Sequence, residues 1–305
     1  MRACRARASR PGRTPASAAI RVLMALMALL LVGACSAAPG STPPHLLGRG
    51  AAKFWNRSRL LRALPLRSRT YRAQSGLGQP AQADENQLSV RVGALFVQVG
   101  SADHFCTASV VDSPGRDLLI TAAHCIYGGS GVGYRKNIVF IPDYRDGLAP
   151  YGIWTPRDLL VAPQWISDAD PSLDVGFVVL KPYDGQNIED ILGANRLAFN
   201  PGYRNLVRVT GYPASGDAPI TCKNWTSELN ITQLRFECDG FTGGTSGSPW
   251  VTKFDRATRT GTIVGVIGGY QQGGDTSAVS YSSYLSPTVE HLYQQAIAAE
   301  APPTA

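Results

Sequence analysis

The sequence predicts an all-β body, a sandwich or barrel, that ends in a single α-helix. Three observations carry this expectation. From Gln87 onward, short apolar runs rich in Val, Ile, Phe and Thr are divided by Gly, Pro, Asn and Asp. Such runs read as strands separated by turns, and no helices alternate with them to suggest βαβ units. At the far end the pattern changes. Ser286-Pro287-Thr288-Val289-Glu290 supplies a cap, a Pro at the first helical position and an acid in the first turn, and Val289, Leu292, Tyr293 and Ile297 recur at helical spacing. The candidate strands, in order, are 92–100, 108–111, 117–125, 137–142, 174–180, 205–213 and 261–269.

Charge divides the 305-residue chain into two parts. The total is 29 Lys/Arg against 22 Asp/Glu, a net +7. Residues 1–80 hold 14 of the basic residues and no acid, so the remainder carries 15 against 22 and is acidic. The apparent basic excess therefore belongs to a leader, and a nucleic-acid-binding body is excluded. With 44% hydrophobic and 17% charged residues over the whole chain, a globular rather than disordered body is expected. Its roughly 220 residues suffice for a well-buried core.

The leader begins with Arg2, Arg5, Arg7, Arg10, Arg13 and Arg21, followed by the apolar run 22–32 and then Gly33, Ala34 and Cys35. That run rises only ~16 Å as a helix, too short to span a bilayer with ease. Basic start, short apolar core and small-residue end read as a secretory signal peptide over 1–34. Val32-Gly33-Ala34-Cys35 resembles the lipobox of bacterial lipoproteins, which makes Cys35 a candidate lipid attachment site and membrane anchor. Cleavage after Ala38 is the rival. Residues 35–84, with Pro39, Pro43, Pro44, Pro65 and Pro80, read as a basic, solvated linker or propeptide, ahead of a domain over 85–299 and a tail over 300–305. The expected location is the cell envelope or the exterior.

Of six cysteines, Cys4 and Cys35 fall in the signal region, leaving Cys106, Cys125, Cys222 and Cys238. An even number in an exported domain implies two disulfides. Three pairings exist; the short loops Cys106–Cys125 and Cys222–Cys238 are preferred. No CxxC pair and no His-rich partner set occurs, so neither a metal nor a cofactor is expected.

Three features carry chemistry. The apolar run 118–121 leads into Ala122, Ala123, His124 and Cys125, where small residues permit tight packing and a disulfide fixes the imidazole. A lone His at a strand end is by itself more often structural. Asp174 opens an apolar strand in SLDVGFVVL, and a buried carboxylate there needs a partner such as an imidazole N–H. In GGTSGSP, glycines around Ser246 permit a sharp turn that projects the hydroxyl and converges the Gly244 and Ser246 N–H groups, a geometry suited to an oxyanion hole. Gly/Ser-rich turns also make plain hairpin loops.

TAAHC, SLDVGFVVL and GGTSGSP, in that order, together resemble the trypsin/chymotrypsin-like serine peptidases, and the bacterial branch with the glutamyl endopeptidases looks nearest. The spacings, 50 residues from His124 to Asp174 and 72 on to Ser246, fit that family. The resemblance spans about residues 90–299 and implies two packed six-stranded antiparallel β-barrels with a C-terminal helix. It implies Ser246 as nucleophile, His124 as general base and acid, Asp174 as the group that orients His124, and Gly244 and Ser246 N–H groups as oxyanion donors. Cys106–Cys125 falls where that family has its histidine-loop disulfide. The implied partner is a protein or peptide substrate, acted on by a monomer.

Two departures matter. Where animal trypsin-like enzymes carry an Asp before the nucleophile, this chain has Thr245, so activation by a new N-terminal ion pair is ruled out and release of a blocking segment or tether replaces it. Gly240 stands where a preference for Lys/Arg would need an acid, and Ile267 where the glutamyl enzymes look to use a His. Gly240, Ile267, Gly268, Gly269 and Tyr270 are thus expected to line a neutral or partly blocked pocket. The alternative function is a catalytically silent, peptidase-like binding protein of the envelope, which an intact His124, Asp174 and Ser246 argue against. An α/β-hydrolase esterase is disfavoured because its His follows its Ser.

Overall fold

A computed structural model describes residues 50–70, 78–82, 90–214 and 218–300. The expected signal peptide and Cys35 lie outside these residues. The chain divides into units 1–37 and 38–305, and the architecture below is that of the second.

Two short leader strands come first, β1 (Leu64–Pro65) and β2 (Ala81–Gln82). The first barrel follows: β3 (Val92–Val99), β4 (Ala102–Val111), β5 (Leu118–Thr121), β6 (Lys136–Pro142), β7 (Pro156–Val161) and β8 (Gly176–Leu180), in the order β6-β3-β4-β5-β8-β7. A Phe140–Trp154 bridge joins β6 to the approach to β7. The second barrel holds β9 (Arg196–Leu197), β10 (Leu206–Gly211), β11 (Ile220–Asn230), β12 (Gln233–Glu237), β13 (Pro249–Asp255), β14 (Thr260–Val266) and β15 (Val279–Ser283). Its order is β15-β12-β11-β10-β13-β14, with the two-residue β9 added at the edge of β14. The helix Pro287–Ala299 closes the chain. Six full strands per barrel and one terminal helix is the layout the resemblance implies.

Period-two alternation explains why the barrels both fill and pack. Along β8, Val178 and Leu180 point into the first barrel beside Leu95, Leu119 and Phe140. Their neighbours Phe177 and Val179 point the other way, to Ile120, Val251, Ile263 and the helix residues Val289 and Leu292. One strand thus serves two cores, and burying each such side chain contributes ~1.5–3 kcal/mol. The second barrel is filled by Val207, Val209, Leu234, Phe236, Trp250 and Val264.

The leader departs from the solvated linker read in the sequence. Residues 51–62 form two short helices whose Ala51, Trp55 and Leu60 pack on Val92, Phe96, Val139, Ile141 and Tyr144 of the first barrel. Trp55 Nε1 donates to Asn137 O at 2.6 Å, and Arg59 forms a two-pronged ion pair with Asp103 at 2.9 and 3.0 Å. These anchors are spread through a stretch with no obvious period, so the sequence pattern conceals them. Among the described residues, no helix is long and apolar enough to cross a membrane.

Candidate active site

The site forms where three chain segments meet. The end of β5 runs into the one-turn helix Ala123–Ile126, which carries His124. A Cys106–Cys125 disulfide ties that turn to β4, and Cys222–Cys238 forms the second bridge. Asp174 precedes β8 and is wholly buried. Its Oδ2 accepts the His124 ring Nδ1 at 2.8 Å and the Gly269 N–H at 2.9 Å, while Oδ1 accepts the His124 backbone N–H at 2.9 Å. Three donors satisfy the carboxylate and fix both position and tautomer of the imidazole, leaving Nδ1 protonated and Nε2 as the basic nitrogen. His124 Nε2 is buried and has no hydrogen-bond partner among the described residues.

Ser246 sits in the turn between β12 and β13 and is 3% exposed. The turn is bound to the first barrel. Thr107 N–H donates to Ser246 O at 2.8 Å and Thr107 Oγ1 donates to Gly244 O at 3.1 Å, while Gly247 N–H donates to Ile267 O of the second barrel at 2.7 Å. Gly244 and Gly247 have φ of +90° and +83°, which L residues rarely adopt. Any Cβ at Gly247 would strike Thr107 O and lie 3.2 Å from Ala122 N, two residues before His124. Close approach is what brings the Ser246 turn to the His124 turn. Gly244 N–H and Ser246 N–H have no acceptor among the described residues. Two unspent backbone donors beside a serine are chemically equipped to hold an anionic oxygen.

Thr245, in the place of the family's Asp, donates its hydroxyl to Thr242 O at 2.7 Å. The turn is therefore held without an ion pair.

The pocket residues named from sequence separate. Gly240 has φ +83°, and a Cβ there would meet Pro80 of the leader at 2.9 Å. Ile267 is buried, Gly268 N–H donates to Tyr281 O at 3.0 Å, and Gly269 serves Asp174. Tyr270 lies at the rim, its ring 5.2 Å from that of Tyr281. Of the other histidines, His104 on β4 lies with Nδ1 3.3 Å from Pro65 O, and His291 is exposed beside Gln295. His124 also lies near Cys106 and Cys125, but those sulfurs are joined and offer no thiolate to a metal.

Two contributors escape sequence reasoning. Thr107 is an ordinary strand residue in the sequence, yet it fastens the turn that carries Ser246. Arg69 belongs to a run of basic residues with nothing to single it out, and it is buried against the second barrel, donating to Phe241 O at 2.9 Å.

Paired barrels with an acid-bound histidine on one and a glycine-flanked serine turn on the other define a trypsin-like serine peptidase architecture. No family model and no curated protein sequence matches the chain. Solved structures do. The protease Anisep from Arthrobacter nicotinovorans is 26% identical over 72% of this chain and 100% of its own, with a TM-score of 0.63. The thermostable serine protease AL20 from an extremophilic microorganism is 25% identical over 69% of this chain and 98% of its own, also at 0.63. A Glu endopeptidase, 15% identical over 73% of this chain and 98% of its own, shares the fold at 0.57. The chain has the double-barrel fold of the trypsin/chymotrypsin-like serine proteases, and a bacterial protease is among its structural neighbours.

Proposed function

We propose that the chain is an exported serine endopeptidase that cleaves peptide bonds through an acyl-enzyme intermediate. The observation that carries this reading is the Asp174–His124 pair. Its carboxylate is fully bonded, its imidazole is fixed with Nδ1 at 2.8 Å from Oδ2, and its Nε2 is left free. In this reading Nε2 takes the Ser246 proton as Oγ attacks the substrate carbonyl, and Asp174 stabilises the resulting imidazolium. The Gly244 and Ser246 N–H groups hold the developing oxyanion. His124 then returns the proton to the leaving amine, and water releases the acyl group by the same path reversed. Export rests on the leader pattern and on two disulfides, which persist in oxidising compartments.

The test is labelling with a fluorophosphonate, followed to completion over hours and mapped by mass spectrometry. Phosphonylation at Ser246 of the native chain, absent from Ser246→Ala and from heat-denatured protein, is expected. A native chain that never acquires the group overturns the reading.

A further inference from the structure

Residues 64–70 lie against the nucleophile loop. Leu64 and Pro65 run parallel to His104 and Phe105, and Leu66 N–H donates to Phe105 O at 3.0 Å. The Arg67 carbonyl then occupies the space that any side chain at Gly243 would need. Leu66 and Arg67 also line a cavity of about 270 Å³ together with His124, Trp165 and Gln272. At Arg69 the arm turns inward. Its Nη1 donates to Phe241 O at 2.9 Å and to Ser280 Oγ at 3.2 Å, and its Nη2 donates to Gly273 O. Thr70 closes the arm, giving its N–H to Asp275 O at 2.8 Å and accepting from Ser277 N–H at 3.0 Å.

The crevice around Arg69 belongs to the body. Phe241 stands five residues before Ser246. A Cβ at Gly273 would touch both Arg69 Nη2 and Ile267, so Ile267 and the guanidinium share one wall. Its chemistry is unusual for a permanent core. Three neutral oxygens receive the guanidinium, and among the described residues no carboxylate lies within ion-pair distance of it. Burial, and to a lesser extent the Arg67 charge, lower the Arg69 pKa to about 9 against the opposing pull of Asp275, so it remains a cation at neutral pH. Structural cations at such depth are ordinarily paired. A row of carbonyl and hydroxyl oxygens that accepts a long cationic side chain, with Asp275 acting on it only from beyond ion-pair distance, suits an exchangeable occupant. The arm is also held unproductively. Its backbone is tied at Asp275 and Ser277, while the Gly244 and Ser246 N–H groups have no acceptor among the described residues.

We infer that this crevice is an arginine-binding site whose ligand in the intact chain is Arg69, so that residues 64–70 are a tethered competitor for peptide arginine side chains. The inference rests on the peptidase reading and adds a substrate class to it. Oxygen acceptors here replace the missing acid at Gly240, which is why the sequence points to a neutral pocket.

The test uses full-length chains and a peptidyl-arginyl coumarylamide. Arg69→Ala should raise kcat/KM at least tenfold, chiefly through KM, whereas Arg69→Lys should stay near the native value. Thr70→Pro removes the N–H given to Asp275 and should also release the site; it carries the same comparison if Arg69→Ala fails to fold. Folded variants no faster than the native chain overturn the inference, and so does a gain confined to glutamyl or phenylalanyl substrates. A second readout does not need catalysis. The labelled peptide Leu-Pro-Leu-Arg-Ser-Arg-Thr should bind Arg69→Ala/Ser246→Ala at least tenfold more tightly than its counterpart with alanine at the second arginine. Equal binding overturns the arginine site. Failure of all forms to phosphonylate at Ser246 would instead remove the peptidase reading, and the peptide result stands independently of it.

Discussion

Asp174 and Arg69 are both charged and buried, but they are treated in opposite ways. Asp174 receives three N–H donors, one of them from the imidazole it orients. All three come from the body itself, so the arrangement is permanent. Arg69 finds three neutral oxygens and, among the described residues, no carboxylate in direct ion-pair contact, and it arrives on an arm held by short strands and two anchoring helices. A charge fully paired within its own domain serves as fixed machinery. A charge that is merely tolerated marks a place made for something that leaves.

Substitutions on the Asp174 side should have the largest effects. Ser246→Ala should remove hydrolysis by ~10⁶-fold in kcat while leaving the fold intact by circular dichroism. Asp174→Asn should lower kcat ~10⁴-fold, because an amide at this place no longer selects the tautomer with Nε2 free. A smaller loss than tenfold would mean that the carboxylate is structural. Gly244→Ala should reduce kcat by ~10²–10³-fold, since a Cβ there would strike the Phe105 ring, lie 2.7 Å from Tyr212 O and turn an oxyanion donor away. Replacing Cys106 and Cys125 together by alanine opens a loop of sequence separation 19. Denaturant unfolding should report a loss of ~3 kcal/mol.

The smallest effect concerns a third buried charge, intermediate between the two. Asp117 lies 3.5 Å from Arg157 and is pushed up to about 7 by burial, aided by Glu300 and opposed by Arg157. Its folded value exceeds its unfolded one, so the folded protein holds the extra proton. Stability from this group is therefore present at low pH and lost as pH rises from about 4 to 7. Asp117→Asn should raise Tm relative to the native chain more at pH 8 than at pH 5, by a few degrees at most.

Much of the body is legible in the sequence for a physical reason. The buried strands β3, β5, β6, β8 and β14 serve cores on one or both faces and appear as apolar runs. β11 escapes because its outer half, including Ser227, Glu228 and Asn230, is exposed, so it lacks an apolar signature. His124, Asp174 and Ser246 stand out because their strained or buried settings demand small residues and glycines beside them. Arg69 does not, since its role arises only when a distant segment folds over the pocket. Trp55 and Leu60 are equally hidden, lying in a stretch without period.

Ser246 should form the acyl-enzyme once the arm is displaced. The most direct measurement is a pre-steady-state burst with a p-nitrophenyl guanidinobenzoate ester on the full-length Arg69→Ala chain, with the acylated peptide then mapped by mass spectrometry. A burst of about one p-nitrophenol per chain and an adduct on Ser246 are expected, with a slower burst in the native chain. No burst, or an adduct on any other residue, would contradict this expectation.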